Sequence, residues 1–320
     1  MGLFNKFRDT IIYKDDNELE NKINVLKELS EKYPDNDKIK RDLKLAELGL
    51  QGEKNIIFEL RNANIGMYVL HDITLKYEDL IAQIDYIVIT PGKIYFIECK
   101  NLLGDITVNN RGEFKRKYEY YGHKVEEGIY SPISQAERHI DVYKKTWYER
   151  KSKLTQLLFE KNLDTWYVPL VVMANSKNIL NVKFAPKDIK NKIVRADQLV
   201  SYIKKDINSI KKSYLSNKKE MEDLAKMFLE LNEPNVIDYE KLYIAKEDRT
   251  NKLKNKLLEF RSTKAKDRNI PEDYVFTDEE LNIILEKLPK SVEELKDILS
   301  EIKQKLHGQE IVDIIKENNK

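Results

Sequence analysis

The sequence has almost no cysteine, with Cys99 the single one among 320 residues. A disulfide framework and a cysteine-rich zinc site both need several thiols, so both are excluded. Long apolar runs are missing as well: the longest, residues 168–174, contains Pro169 and falls far below the roughly 20 residues of a membrane span. The first six residues lack the apolar core of a signal peptide and the Ser or Thr of a myristoylation signal. We therefore expect a cytoplasmic protein without a membrane partner.

An excess of charge of one sign is also absent, because the sequence has 57 Lys and Arg residues and 55 Asp and Glu residues. This balance excludes a uniform polyanion-binding tail, although a local basic surface can still lie within a neutral total. The length leaves room for two or three compact units.

The spacing of apolar residues changes along the chain and predicts an α/β protein with added helical parts. Apolar residues that recur every three to four positions predict helices over residues 17–48, 131–162 and 250–320. Runs rich in β-branched and aromatic residues predict strands over residues 83–90, 93–100, 165–174 and 193–195. We expect an N-terminal helical segment, an α/β domain, a helical linker and a small all-helical domain, over residues 1–46, 47–215, 216–249 and 250–320.

Two of the predicted strands meet across Pro91-Gly92. A two-residue turn pairs Thr90 with Lys93, and the same register sets Asp85 opposite Glu98. The two carboxylates would then stand on one face of the hairpin with Cβ atoms roughly 4.5–5.5 Å apart, where like charges repel.

A divalent cation is the simplest neutraliser of such a pair. Lys100 shares the face of Glu98 because side chains alternate along a strand, whereas Cys99 points to the other face. Oxygen ligands suit Mg²⁺ or Mn²⁺. The cation and the ammonium together would stabilise the charge of a phosphorane-like transition state and lower the pKa of an attacking water. The alternative is a solvated ion pair at a strand edge, although the apolar residues on both faces of the hairpin favour a buried setting.

Four segments in this order resemble the nuclease-related domain (NERD) family of the PD-(D/E)xK superfamily, which has restriction-endonuclease-like folds. They are Gly49-Leu50-Gln51-Gly52-Glu53, Ala82-Gln83-Ile84-Asp85, Ile97-Glu98-Cys99-Lys100-Asn101 and Ser131-Pro132-Ile133-Ser134-Gln135. The resemblance covers about residues 47–160 and implies a mixed sheet flanked by helices. Ser131 stands where the family commonly has asparagine.

The resemblance also implies roles for five residues. Asp85 and Glu98 would be metal ligands, and Lys100 would position or activate water. Glu53 would be a further acidic member that holds metal or orients Lys100, and Gln135 would support the site. A helix-start carboxylate and a surface glutamine are the alternatives for Glu53 and Gln135.

The four histidines are scattered, and no pair of them has metal-ligand spacing. They are typical of surface or satisfied core residues. His139, one helical turn after Gln135, shares its helix face and would reach the edge of the site.

Two basic stretches are candidate nucleic-acid contacts. Lys115-Arg116-Lys117 precedes Tyr118, a mixture that suits a nucleic-acid groove but is also common on a solvated hairpin. Residues 250–270 contain seven basic and two acidic residues, and Lys254, Arg261 and Lys264 are the contacts we expect there. The alternative is an ordinary amphipathic helix that packs through its leucines.

The C-terminal helical region resembles the helicase and RNase D C-terminal (HRDC) domain. The segments that carry the resemblance are Leu258-Glu259-Phe260-Arg261, Asn269-Ile270-Pro271, Val275-Phe276-Thr277-Asp278, Leu288-Pro289 and His307-Gly308. The region around Leu299 lacks the Gly-rich turn of many members, and HRDC domains dock nucleic acid or protein. The sequence as a whole predicts a metal-dependent nuclease, with DNA expected ahead of RNA as substrate. A nucleic-acid-binding protein without catalysis and a protein-docking adaptor are the alternatives.

Overall fold

The computed structural model describes residues 7–120, 123–149, 166–211, 215–235 and 237–318. The chain divides into two compact units, Met1–Ile237 and Asp238–Lys320. The first is a mixed α/β unit in which helices flank two sheets, and the described part of the second is helical, as the sequence predicted. The part of the predicted helix 131–162 that follows residue 149 lies outside the described residues. The four domain boundaries expected from the sequence stay predictions.

In the described residues of the first unit, ten strands form two sheets. They are β1 Thr10–Lys14, β2 Met67–Tyr77, β3 Leu80–Ile89, β4 Ile94–Lys100, β5 Asp105–Val108, β6 Phe114–Tyr120, β7 His123–Ile129, β8 Tyr167–Met173, β9 Leu180–Asn181 and β10 Ile193–Arg195. The first sheet has the order β1-β2-β3-β4-β8-β10, with β2, β3 and β4 antiparallel and the other pairs parallel. The second sheet has the order β7-β6-β5-β9.

In the first unit helices lie on both faces of the first sheet, and the described part of the second unit consists of further helices. They are α1 Glu18–Lys32, α2 Asp37–Arg61, α3 Pro132–Glu149, α4 Lys187–Lys190, α5 Leu199–Asn208, α6 Lys218–Leu231, α7 Tyr239–Arg268, α8 Asp278–Lys287 and α9 Glu301–Asn318. None of the helices in the described ranges combines the length and the apolar character of a membrane span.

The first sheet is buried on both faces, as its nearly continuous apolar strands predict. On one face, Phe96 of β4 packs with Tyr143 of α3 and Phe228 of α6. On the other face, Tyr95 lies in a cluster with Ile56 of α2 and other residues of α2 and α5. The strand β4 is therefore covered on both sides, and any charged side chain at its end is partly removed from water.

Two parts of the first unit differ from the picture that the sequence suggested. The N-terminal helical segment begins with a strand, because β1 pairs in parallel with β2 ahead of α1. The helix α6, expected in a linker, packs on the sheet through Met221, Ala225 and Phe228. Asn232 Oδ1 then accepts a hydrogen bond from the Thr74 backbone N–H at 2.8 Å, which fastens the end of this helix to β2.

Candidate active site

The hairpin of β3 and β4 has the register that the two-residue turn predicts. Tyr86 faces Ile97, Ile89 faces Ile94, and the Thr90 N–H donates to the Lys93 carbonyl at 2.9 Å. Asp85 follows at the end of this ladder. Its Oδ2 accepts a hydrogen bond of 2.7 Å from the Cys99 backbone N–H, so the carboxyl group lies beside β4.

Glu98 and Lys100 lie together on the α3 face of β4. Lys100 Nζ donates to Glu98 Oε1 at 2.5 Å and to Gln135 Oε1 at 3.2 Å. The Glu98 side chain is 3% exposed, whereas that of Lys100 is 25% exposed. The helix α3 thus supplies Gln135 to the lysine, and the structure brings together three of the residues that the sequence singled out.

Glu98 has one oxygen that the described protein atoms leave unpaired. Glu98 Oε2 is buried without a hydrogen-bond partner, and so is His139 Nδ1, which lies 3.9 Å away. Burial, followed by the charges of Lys100 and Arg138, lowers the pKa of His139 to about 4, so the ring is neutral at pH 7. His139 therefore lies at the edge of the site, where its helix position placed it, and carries no charge there.

Glu53 reaches the same cluster from α2 because this helix passes very close to β4. A Cβ added to Gly52 would lie 2.6 Å from Asn101 Cβ and 3.2 Å from Cys99 Sγ, so only glycine fits. Asn101 also donates to the Leu48 carbonyl at 2.6 Å, which ties the end of β4 to α2. The Glu53 side chain is 14% exposed. Close helix–strand contact at Gly52 thus sets the position of the next residue, Glu53.

Replacing Gly52 with alanine tests whether this contact positions the site. The added methyl must push α2 from β4, and we expect a loss of about 1–3 kcal/mol in the free energy of unfolding, together with reduced activity. Gly49→Ala in the same helix is the matched control, because its Cβ would meet Leu19 Cδ2 at an ordinary 3.4 Å. Alanine there should be neutral or stabilising by up to about 1 kcal/mol. Equal thermal stabilities of the two variants would contradict this account.

The cluster is dominated by negative charge. Desolvation, then Glu98 and Glu53, raises the pKa of Asp85 well above its ordinary value, against the opposing effects of the Cys99 N–H and Lys100. Burial likewise raises the pKa of Glu98 although Lys100 opposes the shift. Three carboxyl groups thus share one ammonium group, and their mutual repulsion favours the arrival of a further positive charge.

The oxygen atoms of the cluster are suitable ligands for a hard cation, but they are few. The unpaired, buried Glu98 Oε2 and the repelling Asp85 carboxylate are oxygen ligands of the kind that Mg²⁺ or Mn²⁺ accepts. Within the described ranges, however, no three or more His, Cys, Asp and Glu side chains form a group that would hold a metal ion. A cation at Asp85 and Glu98 would therefore complete its coordination with water or substrate oxygens, as Mg²⁺ commonly does.

The basic residues of β6 face an acidic neighbouring strand. In the antiparallel register Arg116 stands opposite Glu127 and Lys117 opposite Glu126, and both pairs form ion pairs. Lys115 also pairs with Glu126, at 3.4 Å. Each of these three basic side chains thus has an acidic partner within the described residues, and their contact with nucleic acid stays a prediction.

The candidate contacts of α7 also differ from one another. Arg261 is 8% exposed and donates to Asp278 Oδ1 at 2.7 Å. Its guanidinium group is therefore buried in the second unit and is not accessible to a phosphate group. Lys264 is half-buried and pairs with Glu310 at 2.7 Å. Lys254 and Lys252 are exposed. The proposed contact surface of this helix is therefore reduced to its exposed lysines.

Charge reversal separates these two groups of residues. Changing Lys252 and Lys254 to Glu should weaken DNA binding and make the slope of log K against log salt shallower by about 0.7–0.9 per lost phosphate contact, without changing the melting temperature. Arg261→Glu should instead destabilise the second unit by about 3 kcal/mol, because it would bury an unpaired carboxylate at a position that is 8% exposed. Salt-dependent binding assays and thermal melts measure both. Normal stability of Arg261→Glu would return Arg261 to the candidate contact surface.

The first unit is an α/β domain whose main sheet is buried on both faces. Acidic side chains and a lysine lie together at the end of one of its hairpins. Residues 48–174 match the family model of the nuclease-related domain (NERD), and residues 251–315 match that of the HRDC domain. The chain therefore contains a nuclease-related domain followed by an HRDC domain, as the sequence predicted. No curated protein and no solved structure matched the chain.

Proposed function

We propose that the chain is a metal-dependent nuclease that hydrolyses phosphodiester bonds, with DNA ahead of RNA as its substrate. The observation that carries the proposal is the partly buried cluster of Asp85 on β3 with Glu98 and Lys100 at the end of β4. Burying several charges costs free energy that their mutual pairing does not return when one charge sign is in excess. Perturbed ionisable groups of this kind are typical of catalytic sites.

Each residue of the cluster has a role that its contacts support. Asp85 and Glu98 would hold Mg²⁺ or Mn²⁺, which when bound lowers the pKa of water and acts as a Lewis acid toward the phosphoryl oxygens. Lys100 supplies a fixed positive charge that stabilises the additional negative charge of the transition state. Glu98 and Gln135 hold Lys100 Nζ in place at 2.5 and 3.2 Å. Glu53 adds negative charge next to both proposed ligands.

The HRDC domain would assist in nucleic-acid targeting. Lys252 and Lys254 on α7 are exposed and would make the phosphate contacts, which orient a protein on a strand without taking part in the chemistry.

Incubation of the purified chain with labelled single- and double-stranded DNA and RNA, with and without Mn²⁺, tests the proposal. We expect cleavage only with the metal, and none from a parallel preparation of Lys100→Ala, which controls for contaminating nuclease. Absence of cleavage for every substrate with either Mn²⁺ or Mg²⁺ would refute the nuclease proposal.

A nucleic-acid-binding protein without catalysis is the second candidate. It is favoured by one observation, that no group of three potential metal ligands occurs within the described ranges. It predicts salt-sensitive binding of DNA or RNA without cleavage in the same assay. A protein-docking adaptor would show neither property.

A further inference from the structure

A buried histidine that the sequence did not single out lies against Glu53. His71 Nε2 lies 2.9 Å from Glu53 Oε2, and His71 Nδ1 lies 3.3 Å from the carbonyl oxygen of Asp15. A carboxylate oxygen accepts hydrogen bonds, so an Nε2–H donates to Glu53. The imidazole stacks on the Tyr86 ring with centroids 4.4 Å apart, and the Tyr86 hydroxyl donates to the Glu53 carbonyl at 2.9 Å. The ring is thus fixed relative to Glu53 by its stacked face and by the hydrogen bond of Nε2.

Asn17 contributes a second donor to the same carboxylate oxygen. Its Nδ2 donates to Glu53 Oε2 at 3.3 Å, while its Oδ1 accepts from the Glu20 N–H at 2.9 Å as the N-cap of α1. The strand β1 carries the chain to this point, since Lys14 pairs with Leu70 of β2. Asn17 precedes the region that matches the nuclease-related domain, which begins at residue 48.

Glu53 needs such partners to remain where it is. It lies close enough to Asp85 and Glu98 to raise the pKa of both groups, so the three carboxyl groups repel one another. A glutamate on a helix can relieve this repulsion by turning toward water, since its side chain has several rotamers. Two donors on one oxygen oppose that movement, and hydrogen bonds to an ionised group are the stronger ones.

We propose that His71 and Asn17 are positioning residues that hold Glu53 Oε2 and thereby keep its carboxylate in the cluster for a divalent cation. The consequence for the metal rests on the proposed function, whereas the hydrogen bonds themselves do not. The N-terminal segment is accordingly part of the site, although it lies outside the matched domain. Outer partners of metal-site ligands commonly change metal affinity or activity by about 10–100-fold when they are removed.

Two pairs of variants test the inference in the full-length chain. His71→Phe keeps an aromatic ring for stacking on Tyr86 but loses the donor, whereas His71→Gln restores an N–H close to the position of Nε2. Asn17→Ser keeps an N-cap oxygen for α1 but loses the amide donor. Asn36→Ser is its matched control, because Asn36 caps α2 in the same way, accepting from the Ile39 N–H at 3.0 Å.

The first readout is the affinity for Mn²⁺, measured by calorimetry or by electron paramagnetic resonance. We expect His71→Phe to weaken Mn²⁺ binding about 10–100-fold and His71→Gln and Asn36→Ser to remain within about threefold of the wild type. Asn17→Ser, which leaves one donor in place, should lie between them. Equal Mn²⁺ affinity of His71→Phe and the wild type would overturn the inference, as would equal losses in Asn17→Ser and Asn36→Ser.

The second readout does not depend on metal or activity. In ¹⁵N-histidine-labelled protein, the Nε2–H proton of His71 should exchange slowly with water, and Glu53→Ala should accelerate that exchange at least tenfold. Unchanged exchange would overturn the inference even if the chain proves to be a nuclease. If the wild type neither binds Mn²⁺ nor cleaves, the proposed function fails, while slow exchange that depends on Glu53 still supports the positioning of this residue.

Discussion

Asp85→Ala, Lys100→Ala and the double variant are expected to lose nuclease activity to nearly the same extent, on the order of 10³-fold. Residues that act as one unit are non-additive when they are removed. These residues are coupled in the structure. Lys100 Nζ donates a hydrogen bond to Glu98, and Glu98 and Lys100 both affect the pKa of Asp85. Single-turnover rates at saturating Mn²⁺ measure the effect. Multiplicative losses in the double variant would mean that the two residues act independently.

Lys93→Ala is the matched control for the lysine. Lys93 lies at the turn of the same hairpin and donates to Asp206 Oδ1 at 2.7 Å, so it also pairs with a carboxylate. Its side chain is 26% exposed, compared with 25% for Lys100. We expect its removal to leave the cleavage rate within about threefold of the wild type. A loss as large as that of Lys100→Ala would show that the effect comes from the hairpin and not from the cluster.

Asp85→Asn is expected to raise the stability of the metal-free protein. The folded-state pKa of Asp85 is raised, so the folded state binds more protons than the unfolded state, and stability falls as the pH rises above the unfolded pKa of about 3.9. Asparagine removes the repelled charge and keeps an oxygen for the Cys99 N–H. The gain should be on the order of 1–3 kcal/mol at pH 7, or about 2–4 °C for each kcal/mol. It should disappear near pH 3, where the wild-type carboxyl is protonated in both states.

Added metal should reverse the order of the two proteins. A cation bound only by the folded wild type at a concentration of 100 Kd contributes about 2.7 kcal/mol, whereas Asp85→Asn should gain much less. Thermal melts in EDTA and in increasing Mn²⁺ measure both effects. Equal shifts with Mn²⁺ would place the ion elsewhere, and a lower melting temperature of the variant in EDTA would refute the repulsion.

The hairpin could be predicted from the sequence because a two-residue turn leaves one register and strand side chains alternate with a period of two. Glu53 and Gln135 were accessible only through resemblance, since each reaches the hairpin from a separate helix. His71 and Asn17 gave no signal, because their meeting depends on β1 pairing with β2. The burial of Arg261 was hidden for a similar reason, as its partner Asp278 lies on the following helix.

The strand β7 has a second consequence besides pairing with the basic residues of β6. Among the described strands it is the outermost of its sheet, and its sequence includes Lys124, Glu126 and Glu127. An open strand edge offers backbone N–H and C=O groups to any other extended chain, and charged side chains discourage that pairing. The charged side chains of β7 thus disfavour pairing of this sheet edge with another extended polypeptide, on a sheet separate from the β3–β4 hairpin where we propose the phosphate chemistry.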